Sequence, residues 1–170
     1  MTDPRSLAPS PPHTSEEVLI RPATPDDLAT IDRFIRALAA EEGLPAVTAT
    51  LDDLEAALFG PTSLAAALVV QVGTVRVGFA LYYPKYGTVS GRRGIHLEDL
   101  YVTPELRNQR VGERVMTHLA RLAGERGVLE WWVQHSNHAA LRFYQRLGGQ
   151  ELADIAVYRL ERDALQELVD

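Results

Sequence analysis

The most informative segment of the sequence runs from Leu97 to Gly112 and reads LEDLYVTPELRNQRVG. Its apolar residues predict the end of a β-strand, which Pro104 terminates after Val102 because proline cannot donate to a strand ladder. A helix begins near Val111, since apolar residues recur from there every three or four positions. A helix start offers backbone N–H groups and the positive end of a dipole to an anion such as a pyrophosphate. Any strand-to-helix turn shares that property, so this pattern alone does not identify a ligand.

The rest of the chain shows alternating apolar residues where strands are expected and three-to-four spacing where helices are expected. The predicted elements are a strand at 18–20, a helix ending at Gly43, a helix capped by Thr50 and Asp53, strands at 64–72 and 75–83 around a tight Gly73-Thr74 turn, a loop at 85–94, a strand at 95–102, the helix from Val111, a strand at 128–134, a helix at 137–147 and a strand at 156–160. Antiparallel strands come first and strands alternating with helices follow. This order predicts an α/β (α+β) fold with a mixed sheet covered by helices.

Composition narrows the class of protein. The chain has 170 residues, 46% of them hydrophobic, and no cysteine, which suits one domain over residues 17–170 without disulfides or a thiolate nucleophile. Residues 1–16 are rich in proline and polar side chains and are expected to be a disordered tail. The 17 basic and 23 acidic side chains leave a net charge of −6, which argues against a nucleic-acid partner. No signal peptide or membrane span is apparent, so a cytoplasmic location is expected.

Two sequence blocks resemble the GNAT N-acetyltransferases. Arg107 and Gly112 match the family's coenzyme-binding motif, although Asn108 and Arg110 stand where glycines are usual. The block from Asn137 to Gly148 resembles a second family signature. The strings HLEDLYV at 96–102 and LEWWV at 129–133 are similar to bacterial relatives of diamine (spermidine/spermine) acetyltransferase. The resemblance covers residues 18–162.

The resemblance implies the GNAT fold, a mixed central sheet of about six to seven strands flanked by helices. It implies direct transfer of acetyl from acetyl-CoA to a primary amine of a small molecule, by a protein that forms a homodimer. The coenzyme-binding residues it implies are Leu100, Val102, Arg107, Asn108, Gln109, Arg110, Val111, Gly112, Glu113, Asn137 and Tyr144. Asn137 and Tyr144 are seven residues apart, so they share a helix face about 10 Å long, which suits an elongated ligand.

Two residues are candidates for proton transfer. Tyr144 is assigned as the general acid that protonates the departing thiolate, and Glu98 as the base that deprotonates the amine through water. Backbone N–H groups of Leu100 and Val102 are assigned to the charge that develops on the carbonyl oxygen. Each assignment has an alternative: Tyr144 as a core aromatic, Glu98 as an exposed carboxylate at the strand edge, and Asn137 as a helix N-cap. Glu98 and the following Asp99 share a face only if a bulge intervenes.

Departures from the family pattern bear on function. Arg110 is expected in the first helical turn with φ near about −60°, where its N–H still donates to phosphate. Residues 135–139 read HSNHA where the diamine acetyltransferases have DWNEP, which weakens the case for a polyamine. His135 and His138 lack a converging third ligand, so no metal site is expected. A non-catalytic acyl-CoA-binding module and an acetyltransferase acting on a protein amine remain alternatives.

Overall fold

The computed structural model describes residues 17–169, so the tail expected at 1–16 lies outside the described residues. Five strands and five helices are formed in this range. They are β1 (Val18–Pro22), α1 (Leu28–Glu41), α2 (Leu51–Phe59), β2 (Ala66–Val72), β3 (Val75–Gly87), β4 (Arg92–Val102), α3 (Val111–Ala123), β5 (Val128–Trp131), α4 (His138–Arg146) and α5 (Arg162–Val169). Short 3-10 turns precede α1 and follow β4. The described chain divides into two compact units, one ending at Trp132 and one beginning at Val133.

The first unit contains the sheet, whose strands lie in the order β1-β2-β3-β4-β5. Neighbouring strands are antiparallel from β1 to β4, and β5 runs parallel to β4. The predicted hairpin turn is confirmed, with Gly73 at a φ of 57° that glycine adopts without strain. The mixed sheet is therefore as expected, and five strands within residues 17–169 replace the predicted six to seven.

Two local predictions were wrong. Residues 85–94 are not all loop, because Lys85 pairs with Gly94 and Tyr86 with Arg93, which extends the β3–β4 hairpin and leaves only 88–91 as its turn. Their polar side chains are typical of a loop in sequence, but an antiparallel hairpin tolerates polar side chains where it is exposed to solvent. The strand expected at 156–160 is absent, since those residues have no strand partner among the residues described, and β-propensity forms no strand without one.

The core of the first unit lies on both faces of the sheet. On one face, Phe34 of α1 packs on Phe79 and Tyr101, with ring centroids 6.1 and 5.3 Å away. The alternate residues Leu68 and Val70 of β2 are equally buried, and α3 contacts β4 and β5. The apolar faces of the amphipathic helices α1 and α3 thus both pack on β4, the strand that contains residues 97–102.

Asp27 ties the start of α1 to the sheet. Its carboxylate is fully buried and accepts two hydrogen bonds from the Arg21 guanidinium, at 2.7 and 3.0 Å. Arg76 of β3 and the backbone N–H of Thr24 donate to the same group. The Arg21 guanidinium in particular holds the pKa of this carboxyl well below its usual range, with the Thr24 N–H and Arg76 adding to the effect. The buried carboxylate is thereby compensated on both oxygens.

We predict that Asp27→Asn lowers the free energy of unfolding at pH 7 by about 2 kcal/mol, because two guanidinium groups lose their counter-charge. This loss of stability is smaller than that expected for a fully buried ion pair, since the side chains of Arg21 and Arg76 remain 26% and 34% exposed. A carboxyl with a depressed folded-state pKa stabilises above its unfolded pKa of about 4 and loses that contribution as the pH falls. The gap between wild type and variant should therefore narrow towards pH 3. Urea unfolding at both pH values measures it, with exposed Asp26→Asn as control; an equal gap at both would contradict the prediction.

Candidate functional site

The sheet opens at the end of β4. Parallel pairing with β5 stops where Leu97 faces Trp131, while β4 continues to Val102. The N–H of Thr103 donates to Val77 of β3 at 2.9 Å, so by strand alternation the N–H groups of Leu100 and Val102 point to the opposite, open edge. Two backbone donors therefore face the gap beyond the last parallel pair.

A β-bulge lies at Glu98. Leu81 pairs with Asp99 and Tyr82 pairs with Leu97, which leaves Glu98 as the extra residue. A bulge breaks the alternation of side chains and redirects them, which is the condition under which Glu98 and Asp99 can share one site. The side chain of Glu98 is 49% exposed, which suits a group that meets a substrate from solvent.

Asp99 is a functional candidate that the sequence interpretation did not assign. Burial, with the nearby negative charges of Glu98 and Glu42 adding to it, raises the pKa of Asp99 to about 6. Three acidic groups therefore create negative potential beside the end of β4, where an ammonium group would be attracted. The pair Glu98-Asp99 was the available signal, but only the bulge brings the two carboxylates into one environment.

The Arg107 side chain is engaged within the protein. Its Nε donates to the carbonyl oxygen of Val102 at 2.9 Å, and its terminal nitrogen donates to both oxygens of Glu41, at 2.9 and 2.7 Å. The guanidinium also lies 5.5 Å from the centre of the Tyr101 ring. These contacts fasten the turn after β4 to the end of α1, so any coenzyme contact at this position falls to the backbone.

The expectation for the Arg110 backbone was wrong. Arg110 has a φ of 61° and ψ of 12°, which places it in the left-handed region as the N-cap of α3, and Asn108 has the same φ of 61°. Glycine adopts this left-handed geometry most easily, because it has no Cβ atom. The two residues that replace family glycines thus keep a glycine-like backbone. Their side chains, with that of Gln109, are exposed.

This loop has the properties of an anion site. Left-handed residues in a turn direct successive backbone N–H groups into a shared concavity, and the first turn of α3 presents N–H groups without intrahelical partners. That first turn consists of Val111, Gly112 and Glu113. The residues present therefore fit the diphosphate of a coenzyme through backbone N–H groups.

The second unit carries the other predicted residues on α4. The side chain of Asn137 accepts a hydrogen bond from the Ala140 N–H at 3.1 Å, so its N-cap role is confirmed. Tyr144 packs edge to face on Phe143, with ring centroids 4.9 Å apart, and is partly exposed. The helix ends before Gly148, whose φ is 86°. Both side chains therefore lie on one ordered helix, as their spacing predicts.

Residues 17–169 lack two kinds of feature. No group of three or more potential metal ligands converges in this part of the chain. No helix in the same range has the length and apolar content that a membrane crossing requires.

Comparisons with known proteins agree with the geometry. The family model described as the acetyltransferase (GNAT) family matches residues 32–149. A thialysine N-epsilon-acetyltransferase from Bos taurus is 35% identical over 89% of this chain and 96% of its own length. An L-ornithine N5-acetyltransferase from Arabidopsis thaliana is 32% identical over 55% of this chain and 42% of its own. A solved integron cassette protein from the mobile metagenome of V. cholerae has a similar fold, with a TM-score of 0.73 at 24% identity, covering 89% of this chain and 97% of that one.

We predict that Arg110→Gly raises the free energy of unfolding by about 0.5 to 1 kcal/mol, because a left-handed backbone costs arginine more than glycine. Gln109→Gly is the matched control. Gln109 lies between the two left-handed residues without sharing their positive φ, so glycine there should lower stability. Denaturant unfolding of both variants measures the difference, and a loss of stability in Arg110→Gly would show that its side chain outweighs the backbone strain.

Proposed function

This chain belongs to the GNAT family of acetyltransferases, and from that premise we propose that it transfers acetyl directly from acetyl-CoA to the terminal amine of a small, amino-acid-like substrate. It is an enzyme, an N-acetyltransferase that acts on an amine of a small molecule. The observation that supports this acetyl transfer is the open edge of β4, which leads through a left-handed turn into the start of α3.

Backbone groups of the turn and of α3 would hold the coenzyme, which supplies the acetyl group as a thioester. We assign its diphosphate to the N–H groups of residues 108–113, beginning after the fastened Arg107. The exposed Arg110 guanidinium can add a charge-assisted hydrogen bond, which contributes roughly 1.5 to 3 kcal/mol. We assign Asn137 to amide groups of the pantetheine arm, because a side-chain amide carries both the donor and the acceptor that such groups need.

The open edge of β4 suits the chemistry of acyl transfer. Negative charge develops on the carbonyl oxygen when an amine attacks, and preformed N–H donors stabilise it without reorganising. Leu100 and Val102 direct their N–H groups to this edge, and we assign them to that oxygen. No acyl-enzyme is needed, and the chain contains no cysteine to form a thioester.

Glu98 is our base, acting through water. An alkylammonium must lose a proton before its nitrogen can attack, and the Glu98 carboxyl group is exposed and next to the donors of β4. Asp99 and Glu42 add negative charge that favours a cation at this position. The three acidic side chains therefore support attraction of the ammonium, and Glu98 supports removal of its proton.

Tyr144 is our general acid. A phenol carries its proton at neutral pH and can deliver it to the departing thiolate, which a carboxylate in this position would not do. Its place on α4, two turns after Asn137, supports the assignment of both side chains to one elongated ligand.

The relatives favour a substrate class. The names of the bovine and Arabidopsis enzymes specify the terminal amine of thialysine and of ornithine, two amino acids with cationic side chains. The negative potential of Glu98, Asp99 and Glu42 suits such an amine. The HSNHA segment at 135–139 lacks the acidic and aromatic groups expected for a polyamine, which supports an amino-acid-like substrate over spermidine.

We extend the proposal to the whole molecule. The family match crosses from the first unit into the second, which supports one acetyltransferase domain over residues 17–170. Among the described strands β5 pairs only with β4, and its open edge supports a homodimer. The net charge of −6 supports the expectation that nucleic acid is not a partner, and we expect the protein in the cytoplasm without a bound metal.

We expect thialysine, lysine or ornithine to be acetylated with a kcat/KM at least about 10-fold above that of spermidine, a difference of roughly 1.4 kcal/mol in transition-state binding. Release of free coenzyme thiol across a panel of these amines measures this. Peptides with free N-termini form the comparison arm, since faster acetylation of a peptide or a polyamine would contradict the proposed substrate class.

We predict that Tyr144→Phe lowers kcat by about 10- to 100-fold, because the thiolate then departs without its proton donor. Coenzyme affinity, measured by calorimetry, should change little, since the ring and its Phe143 contact are kept. Tyr158→Phe is the matched control, as that side chain is 93% exposed and has no assigned role. Equal turnover in wild type and Tyr144→Phe would mean that another group is the acid.

A further inference from the structure

His96 is a buried histidine in the middle of β4, two residues before Glu98. Its side chain is 4% exposed and its ring is stacked on Tyr83, with centroids 4.8 Å apart. The Trp132 ring meets it edge-on, also at 4.8 Å. Aromatic contacts on two sides hold the imidazole in one orientation.

Each nitrogen of this ring faces a carboxylate. Nε2 lies 3.8 Å from an oxygen of Glu98, and Nδ1 lies 3.6 Å from an oxygen of Glu130 on β5. The two carboxylates lie on opposite sides of the imidazole. Both are in contact with solvent, since the side chains of Glu98 and Glu130 are 49% and 32% exposed. The ring therefore forms a buried bridge between the proposed base and a second acidic group.

Charged and titratable side chains face His96 from both neighbouring strands, β3 and β5. Lys85 of β3 forms an ion pair with Glu130, and the Lys85 ammonium lowers the pKa of Glu130 below its ordinary value, with His96 contributing as well. The Tyr83 hydroxyl faces Glu98, and the pKa of Tyr83 is raised by burial first and by Glu98 second. Glu130 is thus held as a carboxylate beside Nδ1, where it favours the tautomer with the proton on Nδ1 and a lone pair on Nε2 towards Glu98.

We propose that His96 is a positioning residue that acts through Glu98 and stores the proton removed from the substrate amine. The inference rests on the proposed function of Glu98. The N–H bond of the substrate ammonium breaks, a water passes the proton on, and an O–H bond forms on Glu98. That O–H bond then breaks as the proton passes to Nε2 of His96. The resulting imidazolium lies between Glu98 and Glu130, both ionised. After the acetylated product leaves, the proton returns from Nε2 through Glu98 to water, and the ring keeps its Nδ1 proton throughout.

The chemistry of the two groups explains why such a store helps. An imidazole holds a proton about two pKa units more tightly than a carboxylate does in water, which is roughly a 100-fold difference. Passing the proton inward therefore restores the negative charge of Glu98 while the amine attacks. The arrangement resembles other sites in which a carboxylate orients a histidine and stabilises its charged form.

The test compares His96→Gln with wild type on two amines. For an alkylamine, which is protonated at neutral pH, we expect kcat to fall by about 10-fold or more with KM nearly unchanged. For the aminooxy analogue of the same substrate, which is uncharged at neutral pH, we expect less than about a 3-fold change, since no proton must be removed before attack. Glu130→Gln should show the same selectivity with a smaller loss, and His118→Gln on α3 is the matched control.

A purely structural role gives a different result. Equal slowing of both amines by His96→Gln would overturn the inference, and His96→Phe, which keeps the aromatic packing, repeats the comparison if the glutamine variant folds poorly. Nitrogen NMR of the wild-type protein reads the tautomer directly: a proton on Nδ1 supports the proposal and a proton on Nε2 overturns it. Absence of turnover by the wild-type protein with every amine would contradict the proposed function. The tautomer is measured without turnover, so it tests the His96 inference separately.

Discussion

The early end of the parallel pairing between β4 and β5 is the constraint on which the site depends. Beyond Leu97 and Trp131 the two strands no longer share hydrogen bonds, while β3 continues to hold β4 in place as far as Val102. Backbone donors that a complete sheet would satisfy are thereby available at a fixed position. Unpaired backbone N–H groups are costly when they are buried, so a ligand with a hydrogen-bond acceptor at this edge would be stabilised there.

The packing around β4 keeps this edge rigid. Phe34 of α1 and Tyr101 of β4 pack on one face, and Arg107 fastens the turn beyond the strand to Glu41. At the start of α1, Asp27 is bound by arginines from β1 and β3. The same interactions that stabilise the first unit therefore fix the directions of the N–H groups at the open edge of β4, and fixed donors of this kind are what electrostatic preorganisation requires.

The acidic and aromatic side chains around the bulge are the second feature of the site. Glu98 faces outward, Asp99 is partly buried with a raised pKa, and His96 lies behind Glu98 against Glu130. Three neighbouring residues of one strand thus experience three environments. The bulge is responsible, since regular alternation would send Glu98 and Asp99 to opposite faces of the sheet.

The sequence alone predicted the mixed sheet, the capped helices, the Gly73 turn and the family, because periodicity, capping residues and local motifs are short-range properties. It could not predict the left-handed backbone of Arg110, since the side chain favours a helical φ and the loop closure between β4 and α3 imposes the other value. The β3–β4 extension over 85–94 and the missing strand at 156–160 have the same origin, because a strand exists only when a partner is present. The bulge at Glu98 and the contacts of His96 likewise depend on the register between strands distant in sequence, and only the tertiary structure decides that register.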